Sequence, residues 1–295
     1  MPDAAPATTV RIRALLPSLA PAERRVAECV LADPAGVAAS TIGSLARQGA
    51  TSETTVLRFC RAIGLAGYPA LRLALAAEAG RNGGGIGHDV TGDIAADDDL
   101  DKVVAKIAFA DARAVEETAD QLDLDTLHDV IDAVVAARRV DVYGVGASGF
   151  VALDLQQKLH RIGRVAFAWT DPHVALTSAA LLTPADVAVA ISHSGATQDT
   201  LDALALARRS GAVTVAVTNF PRSPLARVAD HVLTTAARET TFRSGATASR
   251  LAQLTVIDCV FVGVAQRTYR QTRTALDVTY EAIRVRRIDG DRRRG

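Results

Sequence analysis

Apolar positions follow two rhythms along the 295-residue chain. Between residues 10 and 80 they recur at helical spacing, as in Val26, Cys29, Val30 and Leu31. The first rhythm predicts a set of short helices. One opens at 18–23, with Pro21 just inside its start and Glu23 in its first turn, and Asp33-Pro34 stops it. Thr41 is placed to cap a helix over 42–48, a break falls at Gly49, Ala50 and Thr51, and Ser52 is placed to cap a helix over 53–63. Helix, three-residue break, helix is the proportion of a helix-turn-helix unit, and equally of short helices joined by tight turns in a plain helical bundle. Ala46 supplies the small residue where the two helices cross. Val56, Phe59 and Cys60 face the core, and Glu53, Thr54, Leu57, Arg58 and Arg61 face out. With the second helix in the DNA major groove, Thr51, Ser52, Thr54 and Thr55 lie at or near the end that reaches base edges or phosphates. Arg58 and Arg61 add phosphate contacts.

From residue 139 onward the apolar residues collect in short continuous runs at 140–143, 166–169, 186–191, 213–218 and 231–234, with helix-like stretches between them. That alternation predicts an α/β domain with a five-stranded parallel sheet covered on both faces. Two of the runs end in small-residue loops, 144–149 (Gly-Val-Gly-Ala-Ser-Gly) and 192–197 (Ser-His-Ser-Gly-Ala-Thr). Strand, small-residue loop, helix aims unpaired N–H groups and a helix dipole at an anion. In the second loop the hydroxyls of Ser192, Ser194 and Thr197 stand beside Gly195, where the backbone can come close. This suits a phosphate held by hydrogen bonds without a metal. Gly144, Gly146 and Gly149 also satisfy the dinucleotide fingerprint, with Asp171 some twenty residues on as a ribose partner. A redox regulator sensing NADH is therefore a competing reading. Ser148 in the middle of the first loop, and a separate serine-rich second loop, argue against it.

The remaining chain sets expected boundaries. Residues 1–80 form the helix-turn-helix domain, and 81–101 a linker with a glycine run at 82–87 and an acidic start, 97–99, to the next helix. Helices are expected over 103–121 and 124–137, and a long final helix over 245–271, within a second domain spanning 102–280. A basic tail follows at 281–295, either a solvated end or an auxiliary DNA contact.

Composition adds little to this. Hydrophobic residues are 49% and charged residues 22%, as in ordinary globular chains, and the formal net charge is zero. Residues 1–80, however, carry eight arginines and no lysine against six acids, an excess of two positive charges suited to releasing DNA counterions. Cys29, Cys60 and Cys259 are odd in number, far apart and without metal-ligand spacing, so they are expected as reduced core thiols. No basic-then-apolar leader and no uninterrupted apolar run of ~20 residues is present, so a cytoplasmic protein without membrane contact, cofactor or metal is expected.

The stretches 19–28, 54–61 and 64–72 together resemble the N-terminal domain of RpiR-type transcriptional regulators. One departure stands out: the family's usual turn glycine is replaced by Ala50, with Gly49 one place earlier, so a slightly re-formed turn is expected. Gly144, Gly146, Ser148, the 192–197 loop, Glu239 and Ser249-Arg250 likewise resemble the sugar isomerase (SIS) domain that such regulators carry, over about 125–270 and including Asp154, Lys158, Arg161, Asp171 and His173. The resemblance implies that Ser148, Ser192, Ser194 and Thr197 hold the phosphate of a phosphosugar. It places Glu239 near the sugar hydroxyls, with Gly146, Gly195, Ser249 and Arg250 completing the effector site. Ser148 as a helix cap and Glu239 as a surface residue are the plainer alternatives, and His193 either reaches the ligand or faces solvent. His173 reads as a helix-start residue. The function implied is a DNA-binding regulator of carbohydrate metabolism, not an enzyme. It would act on palindromic operator DNA as a homodimer or homotetramer, with a phosphosugar effector. A phosphosugar isomerase is the enzymatic alternative, lacking an identified ring-opening histidine.

Overall fold

The computed structural model describes residues 7–82, 93–239 and 248–284. Six helices form the N-terminal part: α1 (Thr8–Leu15), α2 (Pro21–Ala32), α3 (Pro34–Ala39), α4 (Ile42–Gln48), α5 (Glu53–Ala62) and α6 (Tyr68–Asn82). One core holds them together, with Ile12, Val26, Val30, Leu45, Val56, Phe59, Cys60 and Leu71 all fully shielded from solvent. Asp33 ends α2, but Pro34 does not end the helical run. Asp33 also accepts a hydrogen bond from Gly36 N, so proline takes the first position of α3.

The α4–α5 turn holds the main local surprise. Gly49 has ordinary helical-side geometry, and Ala50 takes the left-handed conformation, φ +46°. Thr51 N donates to Ala46 O (2.9 Å) and Ala50 N to Arg47 O (3.1 Å), the double bond of a Schellman stop. The same stop at the end of α5 uses Gly64, φ +77°. The turn is thus not re-formed around Gly49; alanine occupies the glycine conformation. Arg25 braces it by donating from Nε to Gly49 O and from Nη2 to Ala50 O.

The second part comprises α7 (Leu100–Gln121), α8 (Leu124–Ala136), β1 (Arg139–Tyr143), α9 (Ala147–Arg161), β2 (Ala166–Trp169), α10 (Pro172–Ala179), β3 (Asp186–Ile191), α11 (Gln198–Arg209), β4 (Val213–Thr218), α12 (Pro224–Val228), β5 (His231–Thr234), α13 (Ala248–Arg267) and α14 (Tyr269–Arg284). All pairings are parallel, in the order β2-β1-β3-β4-β5. The two faces of the sheet differ in side-chain size. Val187, Val189 and Ile191 of β3 join Val140 and Val142 of β1 in a core against α8, α9 and α13. Ala188 and Ala190 face the other way, toward small residues of α10 and α11. The smaller side chains let those two helices lie close on the sheet.

α13 is long and apolar enough to cross a membrane by composition. However, Ala252, Val256, Ile257, Val260 and Val264 along it are buried, and it packs on α7, α8 and α9, as a core helix does. The expected helix over 245–271 is two helices, broken at Thr268, with 245–247 outside the described residues. Arg284, assigned to the tail, is the last residue of α14; the other tail arginines and 83–87 of the glycine run lie outside the described residues. Cys60 is a core thiol, whose pKa burial pushes up to about 11, whereas Cys29 and Cys259 are half-buried.

Candidate effector and DNA-contact sites

Strand order decides where the two glycine–serine loops meet. β1 and β3 are neighbours, with Tyr143 beside Ala190, while β2 lies on the far side of β1 and β4 on the far side of β3. The loops after β1 and β3 therefore leave the carboxyl edge side by side, at the point where the connections diverge. That is where open α/β sheets bind ligands.

Both loops are built around a left-handed glycine. Gly146 (φ +58°) precedes α9, and Gly195 (φ +59°) sits so close to its surroundings that a Cβ there would lie 2.1 Å from Ser223 Oγ. Within the second loop, Ser192 Oγ accepts from Gly195 N (3.1 Å) and shares a hydrogen bond with Thr197 Oγ1 (3.1 Å). Ser194 is exposed, and its Oγ accepts from Ala196 N (3.2 Å).

Helix capping separates α9 and α11 from their neighbours. Side chains of Asp99, Asp123, Asp171 and Ser223 cap α7, α8, α10 and α12, whereas α9 starts at Gly146 and α11 at Thr197 with no side-chain cap. The two helices that follow the two loops thus keep their first N–H groups free of a capping side chain, the donors an anion uses. Asp171 spends its carboxylate on Val174 N (3.0 Å), as a cap, and exposed His173 lies in the same first turn.

The remaining expected effector residues divide. Ser148 lies inside the first turn of α9, 8% exposed, and does not cap that helix; its hydroxyl donates to Gln253 Oε1 (3.3 Å). Glu239 is half-buried, and its Oε1 accepts from the fully buried Ser249 hydroxyl (2.7 Å). Arg250, next along α13, is exposed. His193 does not simply face solvent. Its ring packs edge-on against Phe220 (centroids 5.5 Å apart), and its Nδ1 is buried without a hydrogen-bond partner among the described residues. Burial pulls its pKa below the ordinary value, against the opposing charge of Glu239. Gln253 is the residue sequence reading missed. Its signal was a polar side chain one helical turn after Ser249 in an apolar stretch.

In the helix-turn-helix unit, Thr41 and Ser52 cap α4 and α5 as expected, accepting from Ser44 N and Thr55 N. Ser52, Thr54, Arg58 and Arg61 are exposed and Thr51 is partly so. Thr55 is 4% exposed; it shares a hydrogen bond with Ser52 and accepts one from Arg58 Nη2 (3.2 Å). It supports the outward residues and offers no free reading face.

The rpiR-family helix-turn-helix description matches residues 8–82, and the SIS-domain description matches 134–263. A transcriptional regulator of Caldanaerobacter subterraneus, TTE0211, is 38% identical over 94% of this chain and 97% of its own. The chain belongs to the RpiR family. The Escherichia coli regulator RpiR itself is 31% identical over 87% of this chain and 86% of its own. Among solved structures, Vibrio vulnificus NanR complexed with ManNAc-6P aligns at TM-score 0.61 and 29% identity, covering 96% of this chain and all of that one. As a member of the RpiR family, the chain is a helix-turn-helix transcriptional regulator with an SIS domain, and its relatives of this length bear regulator names.

Proposed function

We propose that this regulator binds palindromic operator DNA through α5, as a homodimer or homotetramer, and that a sugar phosphate held in the SIS domain sets its operator affinity in carbohydrate metabolism. The observation that carries the effector reading is the pair of uncapped helix starts, α9 and α11, behind adjoining glycine–serine loops at the carboxyl edge. The phosphosugar complex of the related NanR supports it. Gly146, Ser192, Ser194, Gly195 and Thr197 serve the phosphate, with Ser148 behind them; Glu239, Ser249 and Arg250 lie toward the sugar. Thr51, Ser52 and Thr54 face the DNA, with Arg58 and Arg61 on phosphates and Thr55 bracing Arg58. The units proposed are 1–80 for DNA, 81–101 as linker, 102–280 for effector and 281–295 as tail. An NADH reading is disfavoured because Asp171, its ribose partner, caps α10.

Thermal unfolding against ManNAc-6P, glucose 6-phosphate, fructose 6-phosphate, NADH and NAD tests the reading. A ligand at about 100 times its Kd adds about 2.7 kcal/mol. A shift with a sugar phosphate that Ser194→Ala weakens, without loss of operator binding, is the expected result. A shift with NADH alone overturns it, and turnover of a sugar phosphate revives the isomerase. Arg58→Ala is expected to weaken binding to all DNA sequences and to flatten its salt dependence. Unchanged affinity would place another helix in the groove.

A further inference from the structure

Two buried polar atoms near the proposed phosphate loops have no protein partner. Gln253 is fully buried on α13; its Oε1 accepts from Ser148, yet its Nε2 has no hydrogen-bond partner among the described residues. His193 Nδ1, in the loop after β3, is in the same position. A buried donor or acceptor left unpaired is costly, and each such case calls for a reason. The two atoms belong to elements that converge. Ser148 ties Gln253 to the start of α9, and Ser249, one turn before Gln253 on the same face of α13, ties Glu239 to that helix. The charge of Glu239 in turn acts on His193. α13 is thus tied at Gln253 to the start of α9, in the first loop, and at Ser249 to Glu239 beyond β5, while His193 belongs to the neighbouring second loop.

We infer that Gln253 Nε2 and His193 Nδ1 are the sugar-recognising contacts of the effector site, and that they select a phosphosugar over a bare phosphate. The chemistry of the two atoms fits a polyol. An amide N–H donates only, and an imidazole Nδ1 donates or accepts according to its tautomer. Successive sugar hydroxyls, each both donor and acceptor, satisfy the two together. An apolar ligand tail would leave both unpaired. The inference rests on the phosphosugar reading above, because the phosphate loops fix which end of the ligand arrives here.

Titration calorimetry separates the two ideas, with inorganic phosphate and with whichever of ManNAc-6P, glucose 6-phosphate and fructose 6-phosphate binds the wild type most tightly. Gln253→Met keeps volume and apolar packing but removes the amide; His193→Phe keeps the ring against Phe220 but removes the nitrogens. Each is expected to lower the ratio of sugar-phosphate to phosphate affinity at least tenfold. Ser194→Ala is expected to weaken both ligands and leave that ratio within about twofold. A wild type that binds neither ligand overturns the phosphosugar reading itself. A wild type that binds both, with variants whose ratio is unchanged, overturns this inference alone, since a loss shared by both ligands is what mere packing damage produces.

Discussion

At the scale of single residues, Ala50 carries a cost that the rest of the fold absorbs. A left-handed backbone costs an L-residue roughly 1–2 kcal/mol, and glycine escapes it at the expense of about 0.5–1 kcal/mol of extra chain entropy. The strain persists because the Schellman bonds and Arg25 hold the turn from both sides. Ala50→Gly should therefore stabilise the N-terminal domain by about 0.5–1 kcal/mol, and Gly64→Ala, the converse change at φ +77°, should destabilise it. Denaturant midpoints of residues 1–82 within the whole chain, followed by a probe in that domain, check both. A destabilised Ala50→Gly variant would mean that alanine's methyl makes a compensating contact.

At the scale of elements, β1 shows how a continuous apolar run can hide a polar centre. Asp141 is fully buried in the middle of that strand. Its carboxylate accepts from Trp169 Nε1 (2.9 Å), Ser178 Oγ (2.6 Å) and the Tyr143 hydroxyl (3.3 Å), and pairs with Arg139 (2.9 Å). Burial, and after it the charge of Asp141, pushes the Tyr143 phenol well up, so Tyr143 stays a donor. This knot ties β1 to β2 and α10. Asp141→Ala leaves four donors facing a hole and should cost about 3–5 kcal/mol. The expected signature is a fall of about 10 °C in the unfolding of the SIS domain. A fall of only a degree or two would mean that water replaces the carboxylate.

The strands themselves were legible in sequence to within a residue, because parallel strands in the middle of a covered sheet, such as β3 and β4, leave runs rich in Val, Ala and Ile. The two glycine–serine loops at the ends of β1 and β3 were legible too, from the small residues that follow each apolar run. Strand order was not, since period-two patterning says which face a residue takes and nothing about which strand lies beside which. Nor was α3, because a proline after Asp33 serves equally as a stop or a first helical residue. The short break at Thr268 was hidden inside a pattern that reads as one helix. Gln253 was passed over because one polar residue in an apolar helix usually means little, and its partner Ser148 lies 105 residues away in sequence.

At the scale of the whole molecule, the question is how an event at the sheet edge reaches the operator-binding helices. Among the described residues, a run of hydrogen bonds and ion pairs joins the sheet edge to α1. Asn219, 3% exposed, donates its N–H to His193 O (3.0 Å), and its side-chain oxygen accepts from Ala237 N (2.7 Å) and Thr235 Oγ1 (3.2 Å). The next backbone group, Ala236 N, donates to Thr118 Oγ1 on α7 (2.9 Å). Beside Thr118, Glu117 pairs with Arg13 of α1 (3.0 Å) and with Arg113 (2.9 Å). α1 in turn is fastened to α6 through Thr9 and Glu78. Burial pulls the pKa of Arg13 down; Glu117 and Glu78 oppose that, while Arg238 and Arg113 add to it. Removing Glu117 leaves Arg13 beside Arg238 and Arg113 with Glu78 alone opposing them, whereas removing Arg13 leaves Glu117 still paired with Arg113. Glu117→Gln should loosen the junction more than Arg13→Met, by about 1–2 kcal/mol against less than about 1 kcal/mol. The same asymmetry should appear in regulation. Coupling between effector and operator is reciprocal, so the factor by which a sugar phosphate changes DNA affinity equals the factor by which DNA changes sugar-phosphate affinity. Both factors, measured by fluorescence anisotropy of labelled operator and by calorimetry of the DNA complex, should shrink in Glu117→Gln while each ligand alone binds as before. Undiminished coupling in that variant would move the connection elsewhere.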